Sequence, residues 1–374
     1  MKIGLFSPYL PKHYGGGERH MLTTAWYVST QHDVELLLPI VDDATRSAMR
    51  KYEELFGLDL SRVKLIPSPL ASGQGNALSN WLTTKSYDAF FFLTDGSLFL
   101  SGAKRSILHI QVPYTHQQNG VISRLKLQSW NIKNANSLFT QSVVEKAWNT
   151  SIPFVHYPYA DTSAIEFNPH ARRERKIVAV GRFMDPTHTD LQAKRQDALV
   201  EAFRLGCERH EWKERGWELH LVGAVEPAPV HREFVKRLEK LAKGFPIFFH
   251  HDVSYKQLGE MYDKASLFWH AAGLGVNETL EPQRVEHFGM TTIEAMAHGC
   301  IPLVVNRGGL KESVQHAKNG FLFESIGELT QLTNQTMNLS SIQKRDLRIA
   351  ARKRAQFYSL ESFCTTIDQM LEAA

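Results

Sequence analysis

Short apolar runs recur at residues 2–6, 34–38, 63–66, 89–93, 106–111 and 138–140, separated by longer stretches that include helical spacing. After a loop-like, charge-rich segment at 168–176 the pattern restarts. Apolar runs at 177–180, 219–222, 247–249, 267–269, 301–305 and 321–323 then alternate with helical stretches at 194–208, 231–243, 255–264, 291–298, 310–315 and 327–337. Strands separated in this way by helices predict parallel sheets covered on both faces. The chain reads as α/β with two doubly wound halves. Two more helical stretches, 342–357 and 360–372, complete it. The expected division is a first domain at 1–165, a second at 166–355 and a C-terminal helix within 356–374.

Length agrees with this division, since 374 residues leave room for two domains of about 100 to 200 residues each. The 43 basic and 39 acidic residues give a charge of +4, too mild for a nucleic-acid footprint but compatible with anionic substrates. Cys207, Cys300 and Cys364 lack metal-ligand spacing and cannot all pair with one another, which argues against a disulfide framework. No run reaches the roughly 18 apolar residues of a membrane span, and the start MKIGLF enters a strand rather than a signal-peptide core. A cytoplasmic protein is expected, with basic stretches at 46–51 and 104–105 that allow peripheral contact with an anionic membrane surface.

Four stretches carry candidate chemistry. Gly15-Gly16-Gly17 joins the first strand to the first helix, a shape suited to phosphate, although it has neither P-loop nor dinucleotide spacing. The run at 107–113 leads into a polar loop with Tyr114, Thr115 and His116, beyond the carboxyl end of that strand, where ligands of such sheets bind. Gly181 and Arg182 follow the first strand of the second half and Lys194 opens the next helical stretch, an Arg fork and a Lys point charge suited to a diphosphate. Finally, Glu286 to Gly299 reads as a loop entering a short helix, with Glu286 before it, Glu294 near its start and free amides at its entry. The preceding stretch 271–284 has Gly and Pro but no period, and its position suggests a lid or an acceptor contact.

Glu286 and Glu294 enclose seven residues, and Phe288, Gly289, Ala295, Met296, Gly299 and Pro302 stand around them. This pattern resembles the signature of the retaining glycosyltransferases of family 4, which have the GT-B fold. The likeness extends to Gly16-Gly17-Glu18-Arg19, to Gly181-Arg182, to Lys194 nine residues before Phe203, and to the segment 154–161 with Tyr157, Pro158 and Asp161. It implies two Rossmann-like domains facing a cleft, the first binding acceptor and the second nucleotide sugar, with the C-terminal helix packing back on the first. The implied reaction moves a hexose from GDP-mannose or a UDP-sugar to a glycan, glycolipid or small-molecule acceptor.

The resemblance makes Arg182 and Lys194 the diphosphate clamp, Glu286 the partner of donor-sugar hydroxyls and Glu294 the partner of the ribose. Phe288, Gly289, Met290 and Thr291 would contact sugar and phosphate, and Gly16 and Gly17 would approach the donor diphosphate. Gln111 and His116 would face the acceptor; many members have His where this chain has Gln111, and Gly where it has Arg195. No two aspartates stand at Asp-x-Asp spacing, so side-chain cations rather than a metal are expected to meet the leaving diphosphate, with no further cofactor. Two other readings stay open: a non-catalytic GT-B partner subunit, and a nucleotide-sugar epimerase.

Overall fold

The computed structural model describes residues 1–11, 15–160 and 165–373. Within these, apolar runs become the strands of two wholly parallel sheets. The first sheet holds β1 (Lys2–Phe6), β2 (Asp33–Leu38), β3 (Val63–Pro67), β4 (Ala89–Leu93), β5 (Arg105–Ile110), β6 (Ile132–Ala135) and β7 (Phe154–Val155), in the order β3-β2-β1-β4-β5-β6-β7. The second holds β8 (Glu174–Val180), β9 (Glu218–Val222), β10 (Ile247–His250), β11 (Ala265–His270), β12 (Ile301–Val305) and β13 (Phe321–Phe323), in the order β10-β9-β8-β11-β12-β13. Each is a doubly wound sheet whose order reverses beside its first strand, at β1/β4 and at β8/β11. Ligands of such sheets bind outside the carboxyl ends of the strands at that reversal.

One expected strand is corrected. Residues 138–140 open the helix Leu138–Trp148, because the Ser137 hydroxyl accepts the Thr140 N–H at 3.1 Å and caps it. The strand that fills this place is β6, which begins six residues earlier and is hidden by its polar content. Buried Asn134 satisfies itself there, donating to the Leu108 carbonyl at 3.2 Å and meeting His109 Nδ1 at 2.5 Å.

The chain packs as two units, Met1–Pro158 with Glu361–Ala374, and Tyr159–Leu360. The division falls at Pro158 rather than near 165, since the Ala160 N–H already donates to the Tyr358 carbonyl at 3.0 Å inside unit 2. The helix Ser341–Gln356 stays in unit 2, whereas most of the helix Leu360–Glu372 belongs to unit 1. There Phe363 packs on His156 at a ring separation of 4.1 Å, Arg105 Nε donates to the Leu371 carbonyl at 2.7 Å, and the Tyr27 hydroxyl meets Asp368 at 2.7 Å.

Aromatic bulk fills the core of unit 1, where Phe90, Phe92, Trp130 and Trp148 are wholly buried and Phe6 stacks on Phe92 at 5.4 Å. In unit 2, Val178, Val222 and Phe268 pack with Ala295 and Cys300, which ties the helix carrying Glu294 to the sheet. All three cysteines are free thiols. Among the described residues no helix is long and apolar enough to cross a membrane.

Candidate active site

The site in unit 2 is built at the reversal between β8 and β11. β8 ends at Val180 and delivers Gly181 and Arg182; β11 ends at His270. Lys194 lies over Gly181 so closely that a Cβ there would sit 2.4 Å from Lys194 Cγ, so only glycine leaves room for the lysine stem. Lys194 Nζ then reaches Glu286 Oε2 at 2.5 Å. His270 Nε2 faces the same oxygen at 3.0 Å, off the alignment of a full hydrogen bond. Its Nδ1 accepts the Ala272 N–H at 3.3 Å, which leaves the ring proton on Nε2, toward the carboxylate.

These contacts set the charges. Burial works to raise the Glu286 pKa, but the Lys194 ammonium and then the His270 ring outweigh it and hold the carboxyl well below the ordinary range. Burial lowers His270 despite Glu286 beside it, which favours the neutral ring. The cluster is therefore a buried ion pair backed by a neutral imidazole. The space bounded by Gly181, Lys194, Gln196 and His270 is only about 10 Å³, the lower limit for one water.

The loop from Glu286 is fastened from below. The Gly309 N–H donates to the Glu286 carbonyl at 2.8 Å, and Gly289, at a φ of 97°, turns the chain into the helix Met290–Ala297. A residue with a Cβ would be strained at that φ and would meet Leu310 Cδ2 at 2.6 Å. Phe288 is buried edge-on against Tyr358 at 5.2 Å, while Met290 and Thr291 are half-buried at the helix entry. Glu294 is 8% exposed and accepts the Tyr255 hydroxyl at 3.1 Å.

Arg182 does not join the Lys194–Glu286 pair. Its guanidinium is 60% exposed and pairs with Glu226 at 2.5 Å. Its backbone is held instead: the buried Gln196 amide donates to the Gly181 and Arg182 carbonyls, each at 3.1 Å. Arg195 explains its own departure from the family pattern. It adopts the left-handed conformation, φ 54° and ψ 43°, that glycine takes without strain, and is anchored there by Asp197 at 3.0 Å and the Leu274 carbonyl at 2.5 Å. Residues 271–284 are pinned within unit 2, where Glu278 accepts the Gly308 N–H at 2.7 Å and Lys311 Nζ at 2.6 Å.

In unit 1, Gly16 and Gly17 open the helix Gly16–Ser29, whose first turn offers N–H groups without intrahelical acceptors. A Cβ on Gly17 would lie 2.0 Å from Gln111 Nε2, so the structure brings Gln111 directly onto that turn. His116 is placed apart from it: exposed, with Nε2 at 3.2 Å from the Gly96 carbonyl and 3.1 Å from Gln118. Asp161 lies outside the described residues.

Among the described residues one group of histidines could meet an ion together, His20, His109 and His156, whose ligand atoms lie within 4.8 Å of one another. The His20 and His109 rings, however, stack face to face at 3.8 Å and 19°. Nearly parallel rings do not aim their in-plane lone pairs at one ion, so the geometry is that of an aromatic cluster. His270, Gln196 and Tyr255 were not singled out in the sequence. His270 had a signal, a polar residue ending an apolar run at the carboxyl edge of the sheet; Gln196 and Tyr255 sit on helices with nothing local to mark them.

The family model described as glycosyl transferases group 1 matches residues 164–356 of the 374. A GDP-Man:Man(3)GlcNAc(2)-PP-Dol alpha-1,2-mannosyltransferase of Xenopus laevis is 26% identical over 270 residues, 66% of this chain and 52% of that one. The chain thus spans about half the length of that curated relative. Among solved structures, HepE of Anabaena in complex with UDP aligns over 100% of both chains with a TM-score of 0.72 at 18% identity. A glycosyltransferase from Rickettsia africae aligns over 100% of this chain and 99% of its own, with a TM-score of 0.68 at 16% identity. Likeness of this kind shows the fold, which is GT-B.

Proposed function

Because the chain belongs to the glycosyl transferases group 1 family, we propose that it transfers a hexose from a nucleoside diphosphate sugar to a glycan, glycolipid or small-molecule acceptor, with retention and without a metal. The observation that carries this reading is the Lys194–Glu286 pair at the β8/β11 reversal, with His270 behind it. A cation fixed at that edge of a doubly wound sheet is suited to a diphosphate. GDP-mannose and UDP-sugars are the proposed donors, in keeping with the mannosyltransferase relative and with the UDP held by HepE.

In this mechanism Lys194 and the exposed fork of Arg182 neutralise the charge that develops on the leaving diphosphate. Glu286, kept ionised by Lys194, orients donor-sugar hydroxyls and stabilises positive charge on the ring. Glu294 accepts the ribose hydroxyls, exchanging the Tyr255 contact for them. The bond from the anomeric carbon to the diphosphate breaks as the acceptor oxygen bonds to the same face, and the acceptor proton passes to a diphosphate oxygen. His270 stays neutral and holds the Glu286 carboxylate in register.

The test is donor consumption across a panel of GDP- and UDP-sugars, with Lys194→Ala and Glu286→Gln compared to the parent. Each variant is expected to lose at least a hundredfold in turnover while remaining folded. Unchanged turnover in both would overturn the reading, and an isomerised rather than consumed donor would identify an epimerase.

A further inference from the structure

Unit 2 has a second place built for negative charge, at the opposite end of its strands. A cavity of about 1200 Å³ opens beneath the amino ends of β8, β9, β11 and β12, where Glu174 and Ile301 begin β8 and β12, Trp217 precedes β9 and Ser266 is the second residue of β11. Gly181 and His270, by contrast, stand at the carboxyl ends of β8 and β11. Every residue lining the cavity belongs to unit 2, and eight Lys and Arg side chains face only two carboxylates, Glu174 and Glu218.

What distinguishes this cavity from a solvated basic face is the identity of the partners. Arg175 donates to the Arg215 carbonyl; Arg215 donates to Asn334 at 3.1 Å and to Asn338 at 2.9 Å. Lys344 Nζ donates to the Met337 carbonyl at 2.7 Å, and Arg348, only 7% exposed, donates to the Gly299, Pro169 and Asn168 carbonyls. All of these acceptors are neutral. They fix the side chains in place and leave the charges uncancelled, whereas carboxylates meet Lys176 and Arg345. Arg348 is buried and Arg215 and Lys344 are half-buried, and cations so placed are ordinarily paired with anions. Lys344 registers the imbalance: burial, followed by the charges of Arg215 and Arg175, lowers its pKa from the ordinary lysine value. The helix Ser341–Gln356 adds the positive end of its dipole to the same space.

We infer that this cavity is an anion site for a ligand bearing at least two phosphate groups, separate from the sugar-nucleotide site. Two phosphates follow from the charge, since Arg175, Arg215, Lys344 and Arg348 are four held cations and each phosphate monoester carries roughly −2. Arg and Lys charges both attract phosphate. A soluble polyphosphorylated compound and a phosphate-rich lipid headgroup share this chemistry.

The experiment uses the full chain with inorganic tripolyphosphate as the soluble probe, read by thermal unfolding against a KCl control of equal ionic strength. Phosphatidylcholine vesicles with and without phosphatidic acid, read by co-sedimentation, are the lipid arm. At a hundredfold excess over its dissociation constant the probe should raise Tm by about 5 to 10 °C. The double variant Arg175→Gln, Lys344→Gln should lose the response while its unliganded Tm stays near that of the parent. Lys194→Ala should keep it. Retention in the double variant with loss in Lys194→Ala would place the anion at the sugar-nucleotide site and overturn the inference. Absence of both the tripolyphosphate shift and phosphatidic-acid-dependent sedimentation would overturn it too. Vesicle binding abolished by the double variant identifies the headgroup as the source, and a tripolyphosphate shift alone identifies a soluble ligand.

Discussion

Each unit buries a cluster of titratable side chains, and the two are solved in opposite ways. In unit 2, Lys194 and Glu286 are kept charged against each other, with His270 neutral beside them. In unit 1, His20, His109 and His156 are kept uncharged; burial lowers all three, His109 to about 4, and His20 is lowered further by the nearness of the other two. Their partners fit that state: His109 meets an amide oxygen, His156 meets the Phe363 carbonyl, and His20 stacks on His109 and meets Phe363 edge-on. A neutral cluster supports packing and asks nothing of a ligand. A buried charged pair is costly to desolvate and is weak evidence for stability, which makes it a feature suited to chemistry.

Breaking the pair should have the largest effect. Lys194→Met strands the Glu286 charge beside a neutral imidazole, and unit 2 should lose about 3 kcal/mol in chemical denaturation. Adding Glu286→Gln should restore much of that stability without restoring transfer, a coupling that a double-mutant cycle would measure.

Acid should separate the histidines from Glu286 by pH window. The unfolded chain takes up protons on histidine near pH 6.5, while the folded cluster stays neutral until about 4 at His109. The unfolded state binds more protons across that window, so stability falls as pH falls, by about 1.4 kcal/mol per pH unit for each histidine involved. Glu286, whose folded pKa is depressed, contributes stability that is present above the ordinary carboxylate value and is lost only below it. Unit 1 should therefore weaken between pH 6.5 and 4.5, and His270 adds a slope of the same sign in unit 2, while the Glu286 contribution stays flat. His20→Phe should shift stability at pH 7 by less than about 1.5 kcal/mol and flatten the acid slope; an unchanged slope would contradict the neutral-cluster account.

The smallest effect belongs at Arg195. Replacing it with glycine relieves about 1 kcal/mol of left-handed strain but removes its contacts to Asp197 and Leu274, so the net change should stay within about 1 kcal/mol. Arg195→Val, which keeps the strain and loses the contacts, should be clearly worse in the same thermal measurement.

The alternation of apolar runs and helices was enough to read all six strands of the second sheet and five of the seven in the first, β7 being only two residues long, because parallel strands buried on both faces carry a strong local signal. It failed at β6, where Lys133 and Asn134 interrupt the run and Asn134 is buried by hydrogen bonding rather than by apolarity. At the site, Lys194, Glu286 and Gly181 were legible through motif spacing and do come together, whereas Arg182 was legible in position but turns to Glu226. His270 and Gln196 act through contacts across 16 and 14 or more positions or across the sheet, which no local pattern records. The share of the C-terminal helix in unit 1 was expected from resemblance alone; its physical basis, Phe363 against the histidine rings, appears only in three dimensions.

That last contact bears on how the protein is made. Tyr159–Leu360 is continuous and can complete its fold as it is synthesised, but Met1–Pro158 must wait for Glu361–Ala374. At roughly 5 to 20 residues per second the delay is on the order of 10 to 40 s. During that interval the face of His20 and His156 that Phe363 will cover stands open to water, and the earlier half of the polypeptide is the later one to mature.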